Sequence, residues 1–369
     1  MLCLAGIVIS FNISSIAALI PAISYSLSIP DFLVVEIIPY YMVPYGLAAL
    51  ICAPLIRVIK PKIIMVFCFA VFAVFSLISG ATNSLEQLAW ARALTGIAAA
   101  SVMPLSLIII AELAEREVRG RLVGIFFSCS FISSIAGVAL SSIIDWRWIF
   151  YLTAILGLAM MLLTLFLFPD DFKKQKKAKV NYLNLILEPK ILKIFLFIFL
   201  VSMIYHAAYN WLGVYLDRVY NLNQLKISLF ITTVGVSGAF GQILGGFISD
   251  KKGRLKACAF GLLVLAASIM LLYGKFPLWI LALIFVGFGI GWTINHNSLV
   301  TILTDLPNEY RPGVASLNSS VRFVSGGLGV SLGGIFLQHD FGYTFLIFGI
   351  LLLVLSIFCP RFIQIDTNV

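Results

Sequence analysis

The sequence predicts an all-α membrane protein, with twelve transmembrane helices in two pseudo-symmetric six-helix bundles. Three observations carry this reading. Hydrophobic residues make up 61% of the chain and its mean hydropathy is +1.07, well above the roughly 45–50% apolar usage of a soluble domain. Apolar runs of about 20 residues, enough to cross a hydrocarbon core as a helix, recur along the whole length. One polar stretch, "PDDFKKQKKAKVNYLNLILEPK" at 169–190, divides those runs into six and six, so the expected organisation is a bundle at 1–168, a linker at 169–190 and a bundle at 191–369.

The first run, 2–23, has no basic n-region and no small-residue cleavage site, so it reads as a span and not as a signal peptide. No polar leader precedes it, which fits a truncated start. The second span, 33–56, ends in the basic "RVIKPK", and the third covers 63–82. The fourth, 86–112, runs into the charged "AELAEREVRG", after which the fifth covers 120–143 and a short "DWR" break sets off the sixth at 148–168. Beyond the linker, spans at 191–215 and 227–248 flank the Asp217–Arg218 pair, and "GFISDKKGR" (246–254) separates the eighth from the ninth at 257–274. "GKFP" precedes the tenth at 278–303; "TDLPNEYRPG" leads into the eleventh at 313–336, and the twelfth covers 342–360.

Nineteen of the 25 basic residues fall on the side that holds both termini, four on the other, and Arg92 and Arg322 lie inside spans. The positive-inside bias therefore places both termini in the cytoplasm and fits an inner cell membrane. It also explains the formal charge of +9, so no nucleic-acid partner is implied: a basic stripe for nucleic acid needs a soluble face. The six cysteines lie in or at the ends of apolar runs without a C-x-x-C spacing, which argues against a disulfide framework or a metal site.

The two halves repeat. Setting "APLIRVIKPK" (53–62) under 246–255 places Ala53 on Gly246 and Arg57 on Asp250, 193 positions apart, and Glu112-Leu113 falls on Asp305-Leu306 at the same spacing. Arg119-Gly120 meets Arg311-Pro312 after a one-residue gap. Two loop patterns recurring in the same places indicate a tandem duplication of a six-helix unit.

The loop "GFISDKKGR" has the form Gly-x-x-x-Asp-(Arg/Lys)-x-Gly-(Arg/Lys) and resembles the signature loop of the major facilitator superfamily. The stretch from Arg92 through Gly96 and Pro104 to Arg119-Gly120-Arg121 resembles the fourth and fifth helices of its drug and sugar efflux branches. "DWRWIFYLTAILGL" and "RPGVASLNSSVRFVSGGLG" resemble its sixth and eleventh. The resemblance implies a secondary transporter that is not an enzyme, with helices 1, 4, 7 and 10 lining a cavity that opens alternately to either side. It implies a small-molecule substrate such as a drug-like amphiphile or a sugar, membrane lipids as surroundings, a proton gradient in place of any cofactor, and a monomer. Where the efflux branch carries Gly-Pro-x-x-Gly-Gly in helix 5, this chain reads Gly137-Val138-Ala139-Leu140-Ser141-Ser142, which weakens the case for proton antiport. An importer of the same fold, a membrane enzyme using Glu112, Glu115 and Glu117, and a non-transporting relic stay open as alternatives.

The resemblance also makes the loop a conformational latch. Asp250 is expected at the start of helix 5, where a helix dipole favours a carboxylate by about 0.3–1 kcal/mol. Gly246 is expected to allow close helix approach and Gly253 the turn; Lys251 and Arg254 are expected to hold headgroups or carboxylates, and Arg119 and Arg311 mark the facing helix starts. In the first half Arg57 replaces the aspartate, which suggests pairing with Asp305 or Glu309.

Charges inside spans are costly and suggest function. Arg92 lies about 9 Å below the end of the fourth span by helical rise, with Glu36 at similar depth as a possible counter-ion. Ser202, His206, Tyr209 and Asn210 share one helix face, and Trp292, Asn295 and His296 follow the glycines at 287, 289 and 291. The first span offers Asn12 but no carboxylate, so Glu36, His206 or His296 is expected to carry a coupled proton. By helical rise the two histidines lie about 10 Å apart in depth. Arg322 is expected to pack or gate away from the cavity.

Overall fold

The computed structural model describes residues 1–113, 116–168, 182–306 and 311–363. Its elements are α1 (Leu2–Leu27), α2 (Asp31–Val34), α3 (Ile37–Val58), α4 (Pro61–Ala81), α5 (Leu85–Ala99), α6 (Val102–Leu113), α7 (Arg116–Leu140) and α8 (Trp146–Leu167). They continue with α9 (Tyr182–Leu187), α10 (Pro189–Tyr209), α11 (Leu212–Tyr220), α12 (Gln224–Lys252), α13 (Arg254–Leu271), α14 (Leu278–Thr304), α15 (Arg311–Leu337) and α16 (Phe341–Phe362). Among the described residues eleven helices are long and apolar enough to cross a membrane, and the apolar part of α7, Ile125–Leu140, is a shorter one. Helices meet the demand that every backbone polar group in hydrocarbon be bonded within its own segment.

Local chemistry sets the ends. Asp145 and Asp340 cap α8 and α16, their side chains accepting from the backbone N–H groups of Arg147 and Tyr343. Pro61 and Pro189 occupy first-turn positions, where no N–H is needed. Two predicted spans are broken. The turn between α5 and α6 at Ala100–Ser101 stands four residues before Pro104, whose ring cannot accept the carbonyl of Ala100 and has no N–H to bond it. The turn at Asn210–Trp211 has no proline; the Asn210 amide donates to the His206 carbonyl (3.0 Å), competing for an acceptor within the helix.

Chain contacts define two compact units, Met1–Val180 with Leu216–Leu229, and Asn181–Tyr215 with Phe230–Val369. In the first, α1 packs on α7, α4 on α8, and α5 on both α3 and α4. In the second, α10 packs on α15, α13 on both α14 and α16, and α14 on α12 through Gly241 and Gly289. The pairings repeat, and so does their register: Pro61 and Arg254, like Leu85 and Leu278, begin helices 193 residues apart.

The repetition extends to single atoms. A Cβ on Gly96 would collide with the backbone oxygen of Tyr41, and one on Gly289 with that of Val234. Gly137 faces the Phe11 oxygen and Gly329 that of Met203; Gly157 packs on Ala73 and Gly349 on Ala266. Each pair is related by 192 or 193 positions. Gly246 behaves otherwise: a Cβ there would meet nothing within 4 Å, so the expected close approach at this glycine is not found and falls to Gly245, which faces Ile294. Gly253 does make the predicted turn, with φ +89°.

Leu216–Leu229, which sequence order places in the second half, groups with the first unit through specific bonds. Arg218 grips Asp31 with two nitrogens, Tyr25 donates to Asp217 (2.9 Å), and Gln224 donates to the carbonyl of Ala18 (2.8 Å). The hydroxyls of Ser141 and Ser228 share a hydrogen bond of 3.1 Å. Ser141 thus sits at a contact in the stretch where helix 5 departs from the efflux pattern.

Gly289→Ala is expected to lower the thermal unfolding midpoint in detergent, at a cost of about 1–3 kcal/mol from overpacking against backbone. Gly246→Ala should leave the midpoint unchanged or raise it slightly, since helix propensity there meets no steric penalty.

Candidate functional site

Two buried arginines organise two polar clusters, one in each unit. In the first, Arg92 on α5 is 2% exposed. Its Nη1 donates to Asn12 Oδ1 on α1 (2.6 Å), and its guanidinium lies 4.3 Å from the centre of the Tyr41 ring and 5.8 Å from that of Phe150. A desolvated cation over an aromatic face gains about 2 kcal/mol or more, which offsets part of the burial cost. Asn12, Tyr41 and Phe150 are all buried, so this arginine is sealed by its partners. Glu36 stands at the start of α3, half-buried.

The second cluster joins α10, α14 and α15. Tyr205 stacks face to face on Trp292 with ring centres 3.5 Å apart and lies parallel to Tyr209 at 5.5 Å. His206 meets the Trp292 ring edge-on at 6.0 Å and His296 meets it at 5.6 Å. Both histidine rings thus reach one tryptophan, His206 from α10 and His296 from four residues further along α14. Arg322 on α15, expected to pack or gate, joins them, its Cζ 5.9 Å from the same ring. Its Nε donates to Asn318 Oδ1 (2.9 Å).

Other predicted residues turn to structural tasks. Asn295 is fully buried and donates to the Cys258 carbonyl on α13 (3.1 Å); it is three residues from Trp292, yet its amide is held by the neighbouring helix and not by the aromatic cluster. Ser202 donates to the backbone oxygen of Arg322 (3.1 Å), tying α10 to α15. Asn210 contributes through the helix break beside His206.

In the signature loop Asp250, Lys251 and Lys252 are exposed, and Arg254 forms an ion pair with Asp305. Asp305, suggested from sequence as a partner of Arg57, thus has a cation within its own unit. The corresponding first-half positions are Pro61 and Glu112, so the cation of this clip is replaced there by a proline. The side chains of Arg57, Arg119, Arg311, Glu112 and Glu117, and the whole of Glu115 and Glu309, lie outside the described residues. Among the described residues no group of three metal-ligating side chains occurs, and the cysteines are free thiols.

Sequence reasoning missed Tyr205, Tyr41, Phe150 and Asp31. Tyr205 could have been found from its place next to His206 and four residues before Tyr209, the spacing of a continuous aromatic face.

Two repeated helical units, with polar clusters at span depth and a broken helix beside one of them, are the arrangement of a polytopic membrane transporter. The chain belongs to the Major Facilitator Superfamily, whose family profile matches residues 2–330. It is an integral membrane protein and a transporter, not an enzyme. It is 34% identical over 133 residues to the azole resistance protein 1 of Saccharomyces cerevisiae, a match that covers 35% of this chain and 22% of the yeast protein. Identity to the MFS-type transporter YceJ of Bacillus subtilis is 23% over 309 residues, covering 81% of this chain and 78% of that one. The crystal structure of a mutant of the nucleoside transporter NupG superposes with a TM-score of 0.75 at 18% identity, covering 99% of this chain and 100% of the other, and so shares the fold.

Replacing Asn12 with Ala should destabilise the protein by about 1.5–3 kcal/mol, the range for a lost hydrogen bond to a charged group. The double variant Arg92→Leu with Asn12→Leu should recover part of that loss, read as the unfolding midpoint of the purified protein.

Proposed function

We propose that this protein exports a small organic solute, such as a drug-like amphiphile or a sugar, by alternating access, with a proton gradient as its energy source. The observation that carries the reading is the cluster on α10 and α14. His206, Tyr209, Trp292 and His296 are all only partly buried, although they stand within helices long and apolar enough to span a membrane. Aromatic rings offer broad apolar contact to a planar or amphipathic solute at little entropic cost. The break at Asn210–Trp211 adjoins them, and discontinuous helices are where transporters of this type place their sites.

The export direction draws support from the yeast relative named for azole resistance. Proton coupling draws support from the two histidines: neutral imidazole is the side chain whose charge changes most readily near neutral pH, and here both rings face the same tryptophan. Arg322 faces that ring too, so protonation of either histidine would place a second cation in the cluster and bias it toward a different arrangement. The protein is proposed to act as a monomer among membrane lipids, without a bound cofactor.

The test starts from a ligand-stabilisation screen on purified protein. The best hit is then followed in proteoliposomes under two opposed pH gradients. Flux should follow the gradient in wild type; in His206→Gln, solute exchange should persist while its dependence on pH is lost. Glu36→Gln should keep that dependence. Flux that ignores the gradient in the wild-type protein would remove proton coupling, and flux inward against a proton efflux would reverse the assigned direction.

A further inference from the structure

The cluster on α10, α14 and α15 contains a cation without a matching anion. Arg322 is 7% exposed. Its Nε is bonded to Asn318, but its Nη2 is buried with no hydrogen-bond partner. Among the described residues no carboxylate is found paired with it; Asp31 pairs with Arg218 and Asp305 with Arg254. The other ionisable groups around it are the two histidines and the thiol of Cys258, none of which is an anion in its ordinary state at neutral pH. A buried guanidinium with an idle N–H in hydrocarbon is costly, and such a charge persists where function supplies its partner.

Arg92 makes the comparison that decides which arginine is available. It too lacks a carboxylate among its bonded partners and has a buried Nε without a hydrogen-bond partner, but Asn12, Tyr41 and Phe150 enclose it and are themselves buried. The groups around Arg322 are different: Trp292, His206 and His296 are each partly exposed. Rotation of one ring would open a path to Nη2, whereas reaching Arg92 requires the parting of α1, α3 and α8.

We infer that Arg322 is the specificity-determining residue for the solute's charge, and that the transported molecule is an organic anion whose planar apolar body stacks on Trp292 and Tyr209 while its carboxylate bonds the Arg322 Nη2. The inference rests on the reading that the aromatic cluster is the solute site, and it narrows the substrate from any amphiphile to an acidic one. A guanidinium presents paired N–H donors that match a carboxylate, and the indole face adjoining it suits a flat ring. The neutral amide of the same acid keeps the ring and the size but loses the charge, so it isolates the contribution of Arg322.

Equilibrium titration of the full-length detergent-solubilised protein with 2-naphthoate and with 2-naphthamide provides the test. The acid should bind tighter than the amide by about tenfold or more, which corresponds to about 1.4 kcal/mol. Arg322→Gln should erase that preference while leaving amide binding in place. Arg322→Lys, which keeps the charge and serves should the glutamine variant fail to fold, should retain a reduced preference for the acid. Equal binding of the two probes by wild type, binding of neither, or a preference that survives Arg322→Gln would overturn the inference. So would loss of naphthoate binding in micelles doped with phosphatidylglycerol, which would assign the arginine to a lipid headgroup. The outcome is separable from that of the flux experiment. Arg322-dependent binding without any flux would remove the transport cycle and leave this site; proton-driven flux of a neutral solute, unchanged in Arg322→Gln, would do the reverse.

Discussion

Contact between helix backbones at positions without a side chain is the constraint on which the rest of this structure depends. Lipid tails solvate apolar side chains as well as another helix does, so helices in a membrane are held together by close packing and not by expulsion of water. Gly96 against Tyr41 and Gly289 against Val234 bring α5 to α3 and α14 to α12. Gly137 against Phe11 and Gly329 against Met203 do the same for α7 with α1 and α15 with α10. These contacts fix rotation as well as distance. Gly289 lies three residues before Trp292, and Met203 two before Tyr205, so the same close approaches that seat α14 and α15 also turn both rings and Arg322 toward one point.

The two buried arginines show how one physical cost is met in two ways. Arg92 is neutralised in effect by an amide oxygen and by the electron-rich face of Tyr41, all sealed from outside. Arg322 has an amide oxygen too, and each arginine leaves one buried nitrogen without an acceptor, but the ring contact of Arg322 is more distant at 5.9 Å and that ring is only partly buried. The halves of the duplicated chain have thus kept their packing and diverged in their chemistry. A similar divergence separates the Arg254–Asp305 ion pair from its first-half positions, where proline stands in place of the arginine. With both partners substantially exposed, that clip contributes at most about 1 kcal/mol.

The segment Leu216–Leu229 complicates the simple picture of two halves. Its bonds to Ala18, Tyr25, Asp31 and Ser141 group it with the first unit, although it is continuous with α10 through the break at Asn210–Trp211. That break interrupts the helix beside His206 without a proline. It joins, in one stretch of sequence, the residues of the aromatic cluster to those that bond Ala18, Tyr25 and Asp31.

Much of the architecture was legible from residue order. Length and hydropathy determine twelve passes because hydrocarbon permits only internally bonded segments, and the repeated loops reveal the duplication because each half must turn at the same places. The candidate residues His206, Tyr209 and Trp292 were legible for a similar reason: polar and aromatic groups stand out on an apolar helix face. Tertiary structure alone decided which of them meet. Helical rise already sets His296 one turn from Trp292 on α14, but only the packing of neighbouring helices brings Tyr205, His206 and Arg322 to Trp292 and ties Asn295 to α13. A sequence displays the periodicity of each helix, whereas the rotation of one helix about its neighbour depends on where two backbones can touch, and that is a property of pairs of segments far apart in the chain.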